Sequence, residues 1–163
     1  MISARISEVI YDRVMTDLRR QHPFAAERVG FLSVKQTVVN DTVLLFAREY
    51  FSIPDDYYVC DYTVGARIGG DAIRFAMQQV LDTRRGMFHL HLHEHVGRTN
   101  FSGTDKFELR KLIPSFQRVG RELCHGALVF SEDDCRCLVL PPYATSFVAA
   151  RVSIITAPIA IYE

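Results

Sequence analysis

An α+β fold, with a central mixed β-sheet flanked by about three helices, is predicted by three features of the sequence. Stretches with apolar residues at helical spacing interleave with short runs of strand character. The connections between them are short and carry turn residues. The 163 residues and their 48% apolar share suit one domain, taken as 1–163, around one core.

Taken in order, residues 4–20 read as an amphipathic helix. Ile6, Val9, Ile10, Val14 and Leu18 make its apolar stripe, Arg5, Asp12, Arg13 and Asp17 lie largely outside it, and Pro23 stops it. Strands follow over Arg28–Val34 and Thr42–Ala47, with Asn40-Asp41 as turn chemistry, so a hairpin is expected. Ile53-Pro54-Asp55-Asp56 is a loop, and Tyr57–Tyr62 is extended. Residues 71–83 form the cleanest helix, with Ile73, Ala76, Met77, Val80 and Leu81 on one face. Gly69-Gly70-Asp71 opens it and Gly86 closes it. Met87–His93 is a strand. A third helix runs from Ser102 to about Phe116, its apolar face Leu109, Leu112, Ile113 and Phe116, with Pro114 kinking or ending it. Gly126–Phe130 and Cys137–Leu140 read as strands around Ser131-Glu132-Asp133-Asp134. Val148–Ile161 is extended, with Pro158 marking an edge or a break.

Bulk properties exclude several functions. Lys plus Arg equals Asp plus Glu, so no basic excess advertises nucleic acid. The N-terminus lacks the apolar core of a secretory signal, and no apolar run is long enough to span a bilayer. Cys60, Cys124, Cys135 and Cys137 are too few and too unevenly spaced for a disulfide framework, and a cytoplasmic location is expected.

The chemistry concentrates in His89-Leu90-His91-Leu92-His93-Glu94-His95, which holds four of the six histidines. On a strand, every second side chain shares a face, so neighbouring imidazoles converge while leucines pack behind them. A lone histidine on such a face is usually structural. Several at this spacing, with Ser102 and Asp105 a short loop away, predict a metal site. Imidazole and carboxylate suit zinc; iron and manganese fit the same donors. Ser102-Gly103-Thr104-Asp105 also reads as a helix start with a capping box. The two readings are compatible: a helix start is a rigid place from which Asp105 reaches a metal. A catalytic zinc needs a base for the proton of its water. Glu27, at a strand entrance, is the candidate; Glu94 is nearer in sequence, but alternation points it off the histidine face.

Glu27-Arg28-Val29-Gly30-Phe31-Leu32, a His-x-His strand and Ser102-x-x-Asp105 together resemble the JAMM (JAB/MPN) zinc metalloprotease family. His125-Gly126-Ala127-Leu128-Val129-Phe130 is similar to the strand that follows in prokaryotic members, and the element order agrees over nearly the whole chain. The resemblance implies a single JAB/MPN-like domain. It implies zinc held by two histidines and Asp105, with Glu27 as general base and Ser102 stabilising the oxyanion. The implied reaction is hydrolysis of the peptide or isopeptide bond after the C-terminus of a ubiquitin-like protein. Its partners would be that protein, its conjugates and other enzymes of the conjugation pathway. The loop departs from the family spacing and lacks the proline that usually follows the second histidine. His91/His93 requires one extra loop residue, His93/His95 one fewer and His89/His91 three extra. We take His91/His93, because an inserted loop residue is easily accommodated, although Gly97 favours His93/His95. Other readings are a partner-binding module without catalysis and a small-molecule zinc amidohydrolase. A second metal site at Cys135-x-Cys137 with Cys124-His125 lacks the usual knuckle spacing, and buried thiols are expected there. A nucleobase deaminase would need a Cys-x-x-Cys that is absent.

Overall fold

The computed structural model of the protein describes residues 1–156, so Pro158 and the expected extension to Ile161 lie outside the described residues. The elements are β1 (Ile2–Ser7), α1 (Glu8–Leu18), β2 (Val29–Val39), β3 (Thr42–Ser52), a 3-10 turn (Asp55–Tyr57), α2 (Gly70–Thr83), β4 (Gly86–Leu92), α3 (Gly103–Val119), β5 (His125–Phe130), β6 (Cys135–Leu140) and β7 (Val148–Ile155). The strands form one closed barrel in the order β1-β3-β2-β4-β5-β6-β7, with β7 returning to β1.

This closure corrects the expected fold class: the sheet is a closed seven-stranded mixed barrel with three α-helices, not an open central sheet. The cause is β1. Ile2-Ser3-Ala4-Arg5-Ile6-Ser7 alternates in the strand period, with Ala4 and Ile6 buried and Arg5 and Ser7 exposed. Reading residues 4–20 as one helix hides that alternation, because Ile6 also fits the helical stripe. The helix is confined to Glu8–Leu18. The displaced segment pairs parallel on both sides, Ala4 lying opposite Leu45 of β3 and Val152 of β7. A strand with two parallel partners joins the sheet's ends and leaves no open edge.

The hairpin β2–β3 turns at Asn40 and Asp41, whose positive φ angles of 46° and 60° suit a tight turn that favours these residue types. Both strands run further than expected, to Val39 and Ser52. Helix α2 is closed by Arg84 in the left-handed conformation rather than by Gly86. Gly86 instead opens β4, where a Cβ would sit 1.9 Å from the Cys124 carbonyl oxygen. Helix α3 continues past Pro114 to Val119.

Alternation along the strands separates two apolar layers. Phe88, Leu90 and Leu92 of β4 join Leu32, Val34, Leu128, Phe130 and Val139 in a core that includes Val14, Met15 and Leu18 of α1. The opposite layer contains Val29, Phe31, Met87, Ala127 and Val129, with Ala76 and Val80 of α2 and Leu109, Ile113 and Phe116 of α3. Phe31 and Phe116 meet edge to face at 5.7 Å, both fully buried. Each large side chain buried this way contributes about 1.5–3 kcal/mol. The second layer matters for function, because the β4 residues that alternate with the leucines are histidines.

Candidate metal centre

On β4, His89 and His91 occupy the face opposite Leu90, and His93 follows just past the strand end. The His89–His91 and His91–His93 ring centroids lie 5.7 and 4.9 Å apart. Strand β5 extends this geometry one step, since the His93 amide donates to the Phe130 carbonyl at 2.9 Å. Asp105 comes from the first turn of α3. Its carboxylate accepts the Ser102 amide at 2.6 Å, and its own amide donates to Ser102 Oγ at 3.0 Å, a complete capping box. One Asp105 oxygen, Oδ2, serves this cap and also lies 3.5 Å from His91 Nε2 and 3.6 Å from His93 Nε2. The cap therefore aims the carboxylate at the imidazoles.

Those separations suit a shared cation better than hydrogen bonds. Tetrahedral bonds of about 2.0–2.1 Å place ligand atoms roughly 3.3–3.4 Å apart. Ligand atoms of His91, His93 and Asp105 all lie within 4.8 Å of one another, and among the described residues no other His/Cys/Asp/Glu group converges in this way. Both ring nitrogens of buried His91 lack a hydrogen-bond partner. Such atoms cost about 1–3 kcal/mol each unless something satisfies them. A cation taking one of them removes part of that cost, so the residues present fit a metal ion. Burial acts to raise the Asp105 carboxyl. The His91 imidazole and the Ser102 contacts outweigh it and hold the group far below the usual carboxylate range, so it is a ready anion.

The remaining histidines fall outside this trio. Burial, reinforced by His91, pushes His89 down to about 3 and keeps it neutral; His89 also lines the cavity described below. His95 is exposed beyond the strand end, its Nδ1 beside the Val96 carbonyl. His125 uses both nitrogens, Nδ1 accepting the Met87 amide and Nε2 meeting the Gly120 carbonyl. Cys124 and Cys137 are buried in the apolar core, with Cys135 packed against it, and burial pushes all three thiols up. They offer no thiolate site.

Glu27 and the trio line one cavity of about 770 Å³, which Ser102, His89 and the 61–68 loop also line. Glu27 lies two residues before the start of β2, whose first residue, Val29, pairs with His91 of β4. Its amide donates to the Gly65 carbonyl at 3.0 Å. Its carboxyl lies so close over Gly65 that a Cβ there would come within 2.7 Å of it. The preceding loop is pinned by residues the sequence did not single out. Buried Arg28 donates to the Arg20 and Gln21 carbonyls, each at 2.8 Å, and to Asp55 at 2.7 Å. His22 Nδ1 accepts the Phe24 and Ala25 amides.

Changing Arg28 to Ala is expected to cost about 2–3 kcal/mol, because charge-assisted hydrogen bonds are worth about 1.5–3 kcal/mol and are not additive. The Arg28 hydrogen bond holds the Asp55 carboxyl below its ordinary value. That contribution is full above the ordinary carboxylate range and is lost as pH falls through the depressed value. Urea melts at neutral and acid pH check both points. A loss that stays the same at acid pH would contradict the Asp55 part.

In fold and site the chain is a closed mixed barrel bearing a His-His-Asp group at the edge of one face. Its backbone is similar to the solution structure of protein DSY2949 from Desulfitobacterium hafniense, with a TM-score of 0.50 and 13% identity over 96% of this chain and 94% of that one. At that identity the likeness concerns the fold alone. No family model matches the sequence, and no curated protein matches it either. The JAMM resemblance is corrected accordingly: the closed barrel departs from the open sheet it implies, and the neighbouring structure gives it no support. A glutamate, two histidines, a serine and an aspartate are few enough to recur on different scaffolds. No helix among the described residues is long and apolar enough to cross a membrane.

Proposed function

We propose that the chain is a zinc-dependent hydrolase of peptide or isopeptide bonds, acting on the extended C-terminal tail of a ubiquitin-like protein. The observation that carries this reading is the convergence of His91, His93 and Asp105 in one cavity with the carboxylate of Glu27. His91, His93 and Asp105 would hold the zinc. When bound there, zinc supplies Lewis acidity toward a carbonyl and lowers the pKa of the attacking water to about 7. Glu27 takes the proton released by the water and returns it to the leaving amine. Ser102 Oγ already accepts the Asp105 amide, so its own proton is left to donate to the developing oxyanion. The Ser102–Asp105 cap keeps this geometry fixed through the reaction.

Substrate shape follows from the cavity walls. Val64, Ala66 and Ile68 and, from α3, Leu109 and Leu112 give the cavity an apolar lining. That lining is the proposed seat of an extended tail of small residues. The test uses a ubiquitin-like protein joined through its C-terminus to a fluorogenic reporter. Cleavage by the zinc-loaded chain is expected, with loss on chelation and recovery on adding zinc back. Cleavage indifferent to chelator would overturn the zinc mechanism. A zinc-loaded chain that cleaves small amides but no such fusion would overturn the substrate.

A further inference from the structure

The loop from His93 to Ser102 is fastened along its course to the β5–β6 turn at Ser131–Asp134. The His95 carbonyl accepts the Glu132 amide at 3.0 Å. The Gly97 amide donates to Asp133 at 2.6 Å, and the Gly97 carbonyl accepts Ser131 Oγ at 2.7 Å. The Thr99 amide donates to Asp134 Oδ2 at 3.1 Å. Thr99 is completely buried, and its hydroxyl oxygen lies 3.4 Å from His93 Nδ1. Asp134 is tied in turn to Arg136 at 3.3 Å and to Ser131 through their main chains.

From this chain of contacts we infer that Thr99 and Asp134 are positioning residues for His93. Asp134 fixes Thr99, and with a cation bound the Thr99 hydroxyl accepts the Nδ1 proton of His93, leaving the Nε2 lone pair free for the cation that His93 would share with Asp105. The inference rests on the metal-centre reading and deepens it. A histidine whose far nitrogen is unconstrained can rotate or change tautomer; one held by an oxygen cannot, and such partners outside the coordination sphere are worth about 10–100-fold in metal affinity. The same contacts give the loop a function: it is held by a clip that orients a ligand.

Thr99→Val keeps the buried volume and removes only the hydroxyl, while Thr99→Ser keeps the hydroxyl. Zinc affinity is measured by competition with a chromophoric chelator. The expected result is a zinc affinity about 10–100-fold weaker in T99V, with near wild-type affinity in T99S. Thermal melts of the three proteins separate folding from positioning. A folded T99V that binds zinc as wild type does overturns the inference and leaves the metal centre standing. A wild-type chain that binds no zinc overturns both. Asp134→Ala should weaken zinc through the same route, by less than T99V if the hydroxyl is the direct contact.

Discussion

Replacing Glu27 by Gln is expected to reduce hydrolysis by roughly 10²–10⁴-fold, the span typical of a removed general base, while the chain still binds zinc. The substitution is nearly isosteric. It preserves the close seat over Gly65 and the hydrogen bond that the residue 27 amide donates to the Gly65 carbonyl, so the 61–68 loop should stay where it is. What it removes is the proposed proton acceptor in the cavity that His91 and His93 also line. If Glu27 acts on the chemical step, kcat falls while KM changes little, because the apolar lining proposed to seat the tail, Val64, Ile68, Leu109 and Leu112, is untouched. Steady-state kinetics on the reporter fusion, with zinc content measured on the same preparation, decides the matter. Wild-type kcat in a zinc-loaded E27Q protein would remove Glu27 from the mechanism.

Replacing His91 by Ala is expected to strip the centre. His91 is the most buried of the three ligand candidates and the only one with both ring nitrogens unpartnered. Its loss should weaken zinc by more than about 100-fold, beyond what losing a partner outside the coordination sphere costs. Activity should disappear with the metal. The neighbouring histidines make this prediction specific. His95→Ala should leave zinc bound, because His95 lies exposed past the strand end. His89→Ala should retain the ion while disturbing the cavity wall, since His89 lies beside His91 but is not among the converging ligands. Zinc titrations of the three variants rank the candidate pairs. If H95A loses zinc and H91A keeps it, the ligand pair is His93/His95.

The parts legible in the sequence are those written in local spacing. Alternation across His89–His93 puts the imidazoles on one face with leucines behind them, and Leu90 and Leu92 do lie in the core. The Ser102-x-x-Asp105 spacing indicated a capping box, which is present in full. Asn40-Asp41 marked its turn by chemistry alone. What escaped was non-local. The strand Ile2–Ser7 is six residues long and shares Ile6 with a plausible helical stripe; only its pairing with Leu45 and Val152, far along the chain, declares it a strand. Barrel closure depends on that strand, so the fold class was misread with it. Arg28, Thr99 and Asp134 were likewise invisible, because their partners come from other loops. Arg28 shows itself as an anchor only through its hydrogen bonds to the Arg20 and Gln21 carbonyls. The family resemblance failed for the complementary reason: it was carried by a few side chains, whereas the fold is set by strand pairing along the whole chain.

The central claim is that one zinc ion is held by His91, His93 and Asp105. X-ray absorption at the zinc edge of the metal-loaded chain tests it most directly. The account predicts one zinc per chain, with two imidazoles and oxygen donors at about 2.0–2.2 Å and no sulfur neighbour. A sulfur shell at about 2.3 Å, which would implicate the cysteines, would contradict it; so would a spectrum unchanged in H91A.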